Sequence, residues 1–259
     1  MRRFVFKIIA MCLAVFAFTP VFEAYAVKNY WYVKRNGEHK QPVCDENLSY
    51  VEKLGGVYVD RKHSDDSQEK VIYLTFDAGY ENGNVGKILD ALEEEGVKGS
   101  FFILSNLIER APELVKRMAE GGHSVCNHTK NHKDLVGKDE KTVTDEVRGL
   151  EAEYKELTGK EMAKYFRPPE GVFDEELLMR VQKLGYKTVF WSFAYADWDN
   201  ARQMAPDAAL RCILDNIHNG AVLLLHPTSA TNAEILPRLI FELKAQGYRF
   251  GSLHELCAT

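Results

Sequence analysis

The chain has 259 residues, with 33 Lys plus Arg against 38 Asp plus Glu, a formal net charge of −5. Hydrophobic residues make up 46% and charged residues 27%, which excludes a disordered, collagen-like or disulfide-dense chain. The acidic surplus argues against a nucleic-acid binder, which needs a basic face. At the N-terminus, Met1-Arg2-Arg3 and Lys7 form a basic head, residues 8–22 are almost wholly apolar, and Ala24-Tyr25-Ala26 fits a small-x-small cleavage site. Together they predict a secretory signal peptide over residues 1–26. The protein is then secreted or cell-envelope, and membrane-tethered if the segment is kept. The apolar run is short against the ~20 residues of a full span. Cys44, Cys126, Cys212 and Cys257 remain after cleavage. No two form a C-x-x-C pair, so a cysteine zinc site is not indicated, and disulfides or buried free thiols are both open.

Residues 27–70 read as a polar N-terminal extension that partly packs on the rest of the chain. From Val71 the pattern becomes regular, and residues 71–259 read as one domain. The β-branched and aromatic run 71–76 predicts a buried strand. Helical spacing continues over 84–95, stopped by Gly96. Further strands are predicted at 100–104 and 123–127, with a helix over 112–120 between them. A long amphipathic helix spans 139–157, and a short strand at 165–167 precedes a double proline. A helix over 174–184, a strand at 187–192, a helix over 206–218, a strand at 221–225, a helix over 233–246 and a last strand from 249 complete the series. Repeated strand–helix units predict an α/β fold with a parallel sheet under helices. About seven strands suit a deformed (β/α) barrel, with an open doubly wound sheet as the alternative.

In such folds chemistry gathers at the C-terminal ends of the strands. Those ends carry Asp77, then His128 and His132, then Arg167, then Asp197 and Trp198, then His226. The imidazoles of His128-Thr129-Lys130-Asn131-His132 are four residues apart, a spacing that puts both on one face of a helical turn, where they can share a metal. Asp77, just past a buried strand, can act as base toward a water that such a metal polarises. Arg167-Pro168-Pro169-Glu170-Gly171 is a stiff turn. Its Arg can hold a carboxylate bidentately, and Glu170 carries the first backbone N–H after Arg167, a candidate oxyanion donor. His226 ends an apolar run and can serve as acid if Asp197 holds its other nitrogen. Trp198 can stack against a sugar face. Taken singly, each residue has a bland structural reading: turn aspartates, surface or core histidines, a surface salt bridge.

The five motifs together resemble the polysaccharide deacetylases of NodB-homology type, carbohydrate esterase family 4. They are Thr75-Phe76-Asp77-Ala78-Gly79, His128-Thr129-Lys130-Asn131-His132, Arg167-Pro168-Pro169-Glu170, Asp197-Trp198 and Leu224-Leu225-His226. Tyr80-Glu81-Asn82-Gly83, Val189-Phe190-Trp191-Ser192, Asn232-Ala233-Glu234 and the extension with Trp31 are similar to one branch of that family. It is the δ-lactam-biosynthetic de-N-acetylases of spore-forming bacteria, which act on N-acetylmuramic acid in peptidoglycan.

The resemblance implies a deformed (β/α) barrel. Asp77 would be the general base held by Arg167, and His226 the general acid tuned by Asp197. His128 and His132 would be metal ligands, with Trp198 and Leu224 walling the acetyl pocket. The cofactor would be a divalent ion, zinc first, with manganese, cobalt or magnesium as alternatives. Most of the family carries a second Asp after the base as the third metal ligand, whereas this chain has Ala78. That implies a weaker, more hydrated site, with Glu81 or Glu170 as possible substitutes. The implied substrate is the peptidoglycan glycan strand, and an N-acetylmuramoyl-L-alanine amidase would be the functional partner. The alternatives are deacetylation of N-acetylglucosamine in peptidoglycan or chitin, and a catalytically impaired glycan-binding module.

Overall fold

The computed structural model describes residues 27–35 and 37–258; the predicted signal peptide lies outside the described residues. In chain order the strands are β1 (Asn29–Tyr30), β2 (Lys70–Ala78), β3 (Ser100–Ile103), β4 (Ser124–Asn127), β5 (Tyr165–Phe166), β6 (Val172–Phe173), β7 (Lys187–Thr188), β8 (Phe193–Ala194), β9 (Ala221–Leu225) and β10 (Tyr248–Phe250). The α-helices are α1 (Tyr50–Lys53), α2 (Val85–Glu94), α3 (Ser105–Arg110), α4 (Pro112–Glu120), α5 (Glu140–Thr158), α6 (Glu175–Lys183), α7 (Pro206–Leu214), α8 (Ala230–Ala245) and α9 (Leu253–Cys257).

Seven strands pair in the order β7-β5-β4-β3-β2-β9-β8, and β10 also pairs with β2. All these pairings are parallel. β9 takes one edge of β2 over Ile72 to Phe76, while the other edge is shared by β10 at Lys70 to Ile72 and β3 at Thr75 to Ala78. The sheet curls into the deformed (β/α) barrel expected.

The period of two along the strands sorts side chains into two layers. Ile72, Leu74, Phe76, Phe101, Ile103, Val125, Leu223 and Leu225 face outward into one apolar cluster with the helices. Val71, Tyr73, Phe102, Cys126 and Val222 face inward, with Leu253, Leu256 and Cys257 of α9 packed among them. Continuing that alternation along β2 puts Thr75 and Asp77 on the inner face and Ala78 on the outer one.

The strand predicted over 187–192 is broken, because those residues join the two edges of the sheet. Val189 N–H donates to the Phe166 carbonyl (2.8 Å), and Ser192 N–H donates to the Val222 carbonyl (3.0 Å). The extension fills the same gap. Val57 N–H donates to the Thr188 carbonyl, Phe190 N–H donates back to that of Val57, and Val59 bridges to Ala221. Farther up, β1 pairs antiparallel with β6. Trp31 stacks on Phe190 (4.4 Å between centroids) beside Tyr58 and Phe173.

The helix expected over 206–218 stops at Leu214, and α8 starts earlier than predicted, capped by the Ser229 side chain on Asn232 N–H. The short helices α1, α3 and α9 carry too few residues for a periodic signal in the sequence. The four described cysteines are all free thiols. Among the described residues no helix is long and apolar enough to cross a membrane.

Candidate active site

A cavity of about 520 Å³ opens at the C-terminal ends of the strands. Asp77, His128, His132, Glu170, Trp198, Leu224 and His226 all line it. Arg167 and Asp197, the remaining predicted residues, are buried at 0% and 1% exposure and bonded to side chains of that lining. The reason is register: Asp77, His128 and Leu224 continue the inward-facing rows of β2, β4 and β9.

Arg167 organises one side. Its Nη1 donates to Asp77 Oδ1 (2.7 Å), Nη2 to Thr75 Oγ1 (3.0 Å) and the Phe190 carbonyl (3.1 Å), and Nε to the Val189 carbonyl (2.9 Å). The guanidinium also lies over the Phe102 ring at 4.1 Å. A buried cation with this many acceptors is satisfied and oriented. Burial alone would raise the Asp77 carboxyl, but the charge and hydrogen bond of Arg167, with His226 beyond, outweigh it and hold it below its ordinary value. Asp77 is therefore an ionised base at neutral pH.

His128 Nδ1–H donates to the Arg167 carbonyl (2.8 Å), which fixes the tautomer. Its Nε2 then presents a lone pair 3.6 Å from Asp77 Oδ2. Burial pushes this imidazole down to about 4, so it is neutral. Its ring is 5.0 Å from that of His132, centroid to centroid.

The two histidines do not share a helical turn. Thr129 (φ 71°) and His132 (φ 54°) are both left-handed, so the segment is a tight loop. The loop is held by side chains: Asn127 Oδ1 accepts from Thr129 N–H, and Thr129 Oγ1 accepts from His132 N–H. The buried Glu146 carboxylate of α5 accepts from Asn131 N–H and Nδ2, both at 2.8 Å, and pairs with Lys133 at 3.1 Å.

The other side is built on Asp197. Its Oδ1 accepts from His226 Nδ1–H (2.7 Å) and its Oδ2 from His226 N–H (2.8 Å) and Asn232 Nδ2 (2.6 Å). Tyr195 OH in turn donates to Asn232 Oδ1. Burial lowers the His226 value, but the Asp197 hydrogen bond and charge, with Asp77 beyond, outweigh it and the net shift is upward. Trp198, 61% exposed, stands at the rim with its ring 6.3 Å from that of His226.

Glu170 sits at φ 56° between Pro169 and Gly171. Gly171 is required there: at φ 67°, an added Cβ would meet the Trp191 ring at 2.7 Å. Sequence reading missed Thr75, Glu146, Tyr195 and Asn232 as site residues. Glu146 had a signal, because it falls on the buried stripe of α5 with Val143, Val147 and Leu150.

Two imidazoles and a carboxylate suit a divalent cation. The neutral Nε2 of His128 and the anionic Asp77 Oδ2 turn lone pairs toward the same space, an arrangement that a bound cation reconciles. The donors are fewer than in most catalytic zinc sites. Ala78 is fully buried in the outer apolar layer, and the Glu81 carboxylate is used at the start of α2, accepting from Gly83 and Val85 N–H. Glu81 therefore does not replace the missing ligand. Among the described residues no group of three His, Cys, Asp or Glu side chains is arranged to hold a metal by itself.

The polysaccharide deacetylase family profile matches residues 64–189. The chain is 40% identical to the peptidoglycan-N-acetylmuramic acid deacetylase PdaA of Bacillus subtilis (strain 168), over 95% of this chain and 93% of that protein. The solved structure of B. subtilis PdaA, a family 4 carbohydrate esterase, matches with a TM-score of 0.83 over 88% of this chain and 96% of that one. A family 4 carbohydrate esterase from Bacillus anthracis, 35% identical, matches with a TM-score of 0.73 over 89% and 96%. A peptidoglycan-N-acetylglucosamine deacetylase of Bacillus cereus is 34% identical over 73% of this chain and 89% of its own length. With the barrel, the motif geometry and these relatives in agreement, the chain belongs to the polysaccharide deacetylases of carbohydrate esterase family 4.

Proposed function

We propose that this protein hydrolyses the N-acetyl group of N-acetylmuramic acid in peptidoglycan, releasing acetate and leaving a free amine on the sugar. The observation that carries the reading is the pairing of Asp77, bonded to Arg167 and held below its ordinary value, with His226, bonded to Asp197 and raised above its own, in one cavity. Amide hydrolysis needs both partners, a base for the water and an acid for the leaving amine. A glycan-binding module needs neither.

A divalent cation held by His128 and His132 would polarise the acetamide carbonyl and stabilise negative charge on its oxygen. Asp77 Oδ2, the carboxylate oxygen not held by Arg167, accepts the proton of the attacking water as the new C–O bond forms. Glu170 lines the cavity, and its backbone N–H would donate to the developing oxyanion. His226 keeps Nδ1–H on Asp197, so Nε2–H delivers the proton to nitrogen as the C–N bond breaks. Leu224 and Trp198 flank the acetyl methyl. Once an amidase has removed the stem peptide, the freed amine can condense with the sugar's own lactyl carboxyl, a C–N bond replacing the carboxyl C–O bond with loss of one water, to give the δ-lactam of spore cortex. Export by residues 1–26 brings the protein to that substrate.

The test is incubation of peptide-free and peptide-bearing glycan strands with the protein and zinc, manganese, cobalt or magnesium, followed by mass spectrometry of the digested strands. A free amine on muramic acid in peptide-free strands is expected. A free amine on glucosamine alone would replace the substrate assignment, and glycan binding without acetate release under every ion would remove the catalytic one.

A further inference from the structure

A second, smaller hollow adjoins the catalytic cavity. Its volume is about 170 Å³, and Trp191 and Ala194 belong to both walls. The rest of its lining includes Trp31, Tyr32 and Arg35 of the N-terminal extension. The extension is anchored there: Trp31 Nε1–H donates to the Trp191 carbonyl at 2.8 Å, and Trp31 N–H donates to the Gly171 carbonyl at 2.8 Å. Tyr32 is half exposed, yet its hydroxyl is tied to Asp45, which fixes the ring.

Arg35 is the cation of this hollow. Its guanidinium lies over the Phe193 ring at 4.9 Å and donates to the Ala194 carbonyl and to Cys212 Sγ (3.6 Å). All of these partners are uncharged, and among the described residues no carboxylate pairs with it. The side chain is thus oriented without being neutralised, one residue away from the catalytic wall. A guanidinium so placed is suited to a planar carboxylate.

In muramic acid the lactyl ether stands on the carbon next to the one that bears the acetamide. When the acetamide enters the catalytic cavity, the lactyl carboxylate must therefore lie within a few bonds of it, in an adjoining space. We propose that Arg35 binds this carboxylate and so distinguishes muramic acid from glucosamine, which has no lactyl group. The proposal rests on the muramic reading above and adds the residue that enforces it. Because only a peptide-free lactyl group is charged, the same contact favours strands already stripped of their stem peptides.

The experiment compares full-length wild type, Arg35→Met and Arg35→Lys on peptide-free glycan strands, with and without methyl esterification of the lactyl carboxyl. Melting temperatures check that each variant is folded. For Arg35→Met, KM on the free-carboxyl strands is expected to rise about tenfold, the loss of one charge-assisted pair. Arg35→Lys should recover part of it, and esterification should close the gap between wild type and Arg35→Met. An unchanged KM on free-carboxyl strands, or an equal penalty on esterified ones, would overturn the role of Arg35 while leaving the proposed function standing. Absence of muramic deacetylation by wild type would overturn both.

Discussion

His128 and His226 stand on either side of Asp77, at the ends of β4 and β9, and their surroundings shift their pKa values in opposite directions. Each uses Nδ1–H as a donor, but His128 gives it to a carbonyl and His226 to a carboxylate. The carbonyl orients an imidazole that burial keeps neutral and ready to ligate. The carboxylate, held in turn by Asn232, outweighs burial and raises the pKa of its imidazole. In the proposed mechanism one residue type in one cavity would thus serve as ligand on one side and proton donor on the other, by the choice of a single acceptor.

The strongest way to break that comparison is to remove the proton carriers. Asp77→Asn and His226→Ala should each lower acetate release by roughly a thousandfold, while the circular dichroism spectrum and melting profile stay those of a folded protein. A variant retaining near-wild-type turnover would undo its role.

Replacing the acceptor is subtler. Asp197→Asn leaves a hydrogen-bonding group but removes the charge that raises the His226 value. The acid is active only when protonated, so activity falls as pH rises through its pKa. The variant should therefore move the alkaline limb of the pH–rate profile to lower pH and cost roughly a hundredfold at neutral pH. An alkaline limb that stays in place would assign it to another group.

On the other side, Glu146 does not line the cavity, and its carboxylate holds the His128–His132 loop through Asn131. Glu146→Gln should weaken zinc binding about tenfold in calorimetry, as loss of an outer partner commonly does. Unaltered affinity would mean that Asn127 and Thr129 suffice to hold the loop.

Much of this site was legible because strand period and chain order place Asp77, His128, Arg167, Asp197 and His226 at or just past the ends of β2, β4, β5, β8 and β9. The parts that were not legible depend on contacts distant in sequence. Nothing local in 128–132 announces left-handed backbone at Thr129 and His132, which Glu146 and Thr129 Oγ1 support. Asn232 opens a helix in the ordinary way, and only the curl of the sheet brings it to Asp197. The run 187–192 has strand composition, yet barrel closure divides it between two edges. The sequence has no signal for how the extension docks: Val57 and Val59 form bridges to Val189 and Ala221, and β1 pairs with β6 beside Glu170.

The central claim is that an ionised carboxylate and a protonated imidazole share one cavity at the same pH. Proton–nitrogen NMR of the imidazole of His226 in metal-free protein tests it most directly. We predict a titration midpoint above the ordinary 6.5, falling in both Asp197→Asn and Asp77→Asn, since both charges raise it. A His226 that is already neutral below pH 6.5 in the wild-type protein would contradict the account.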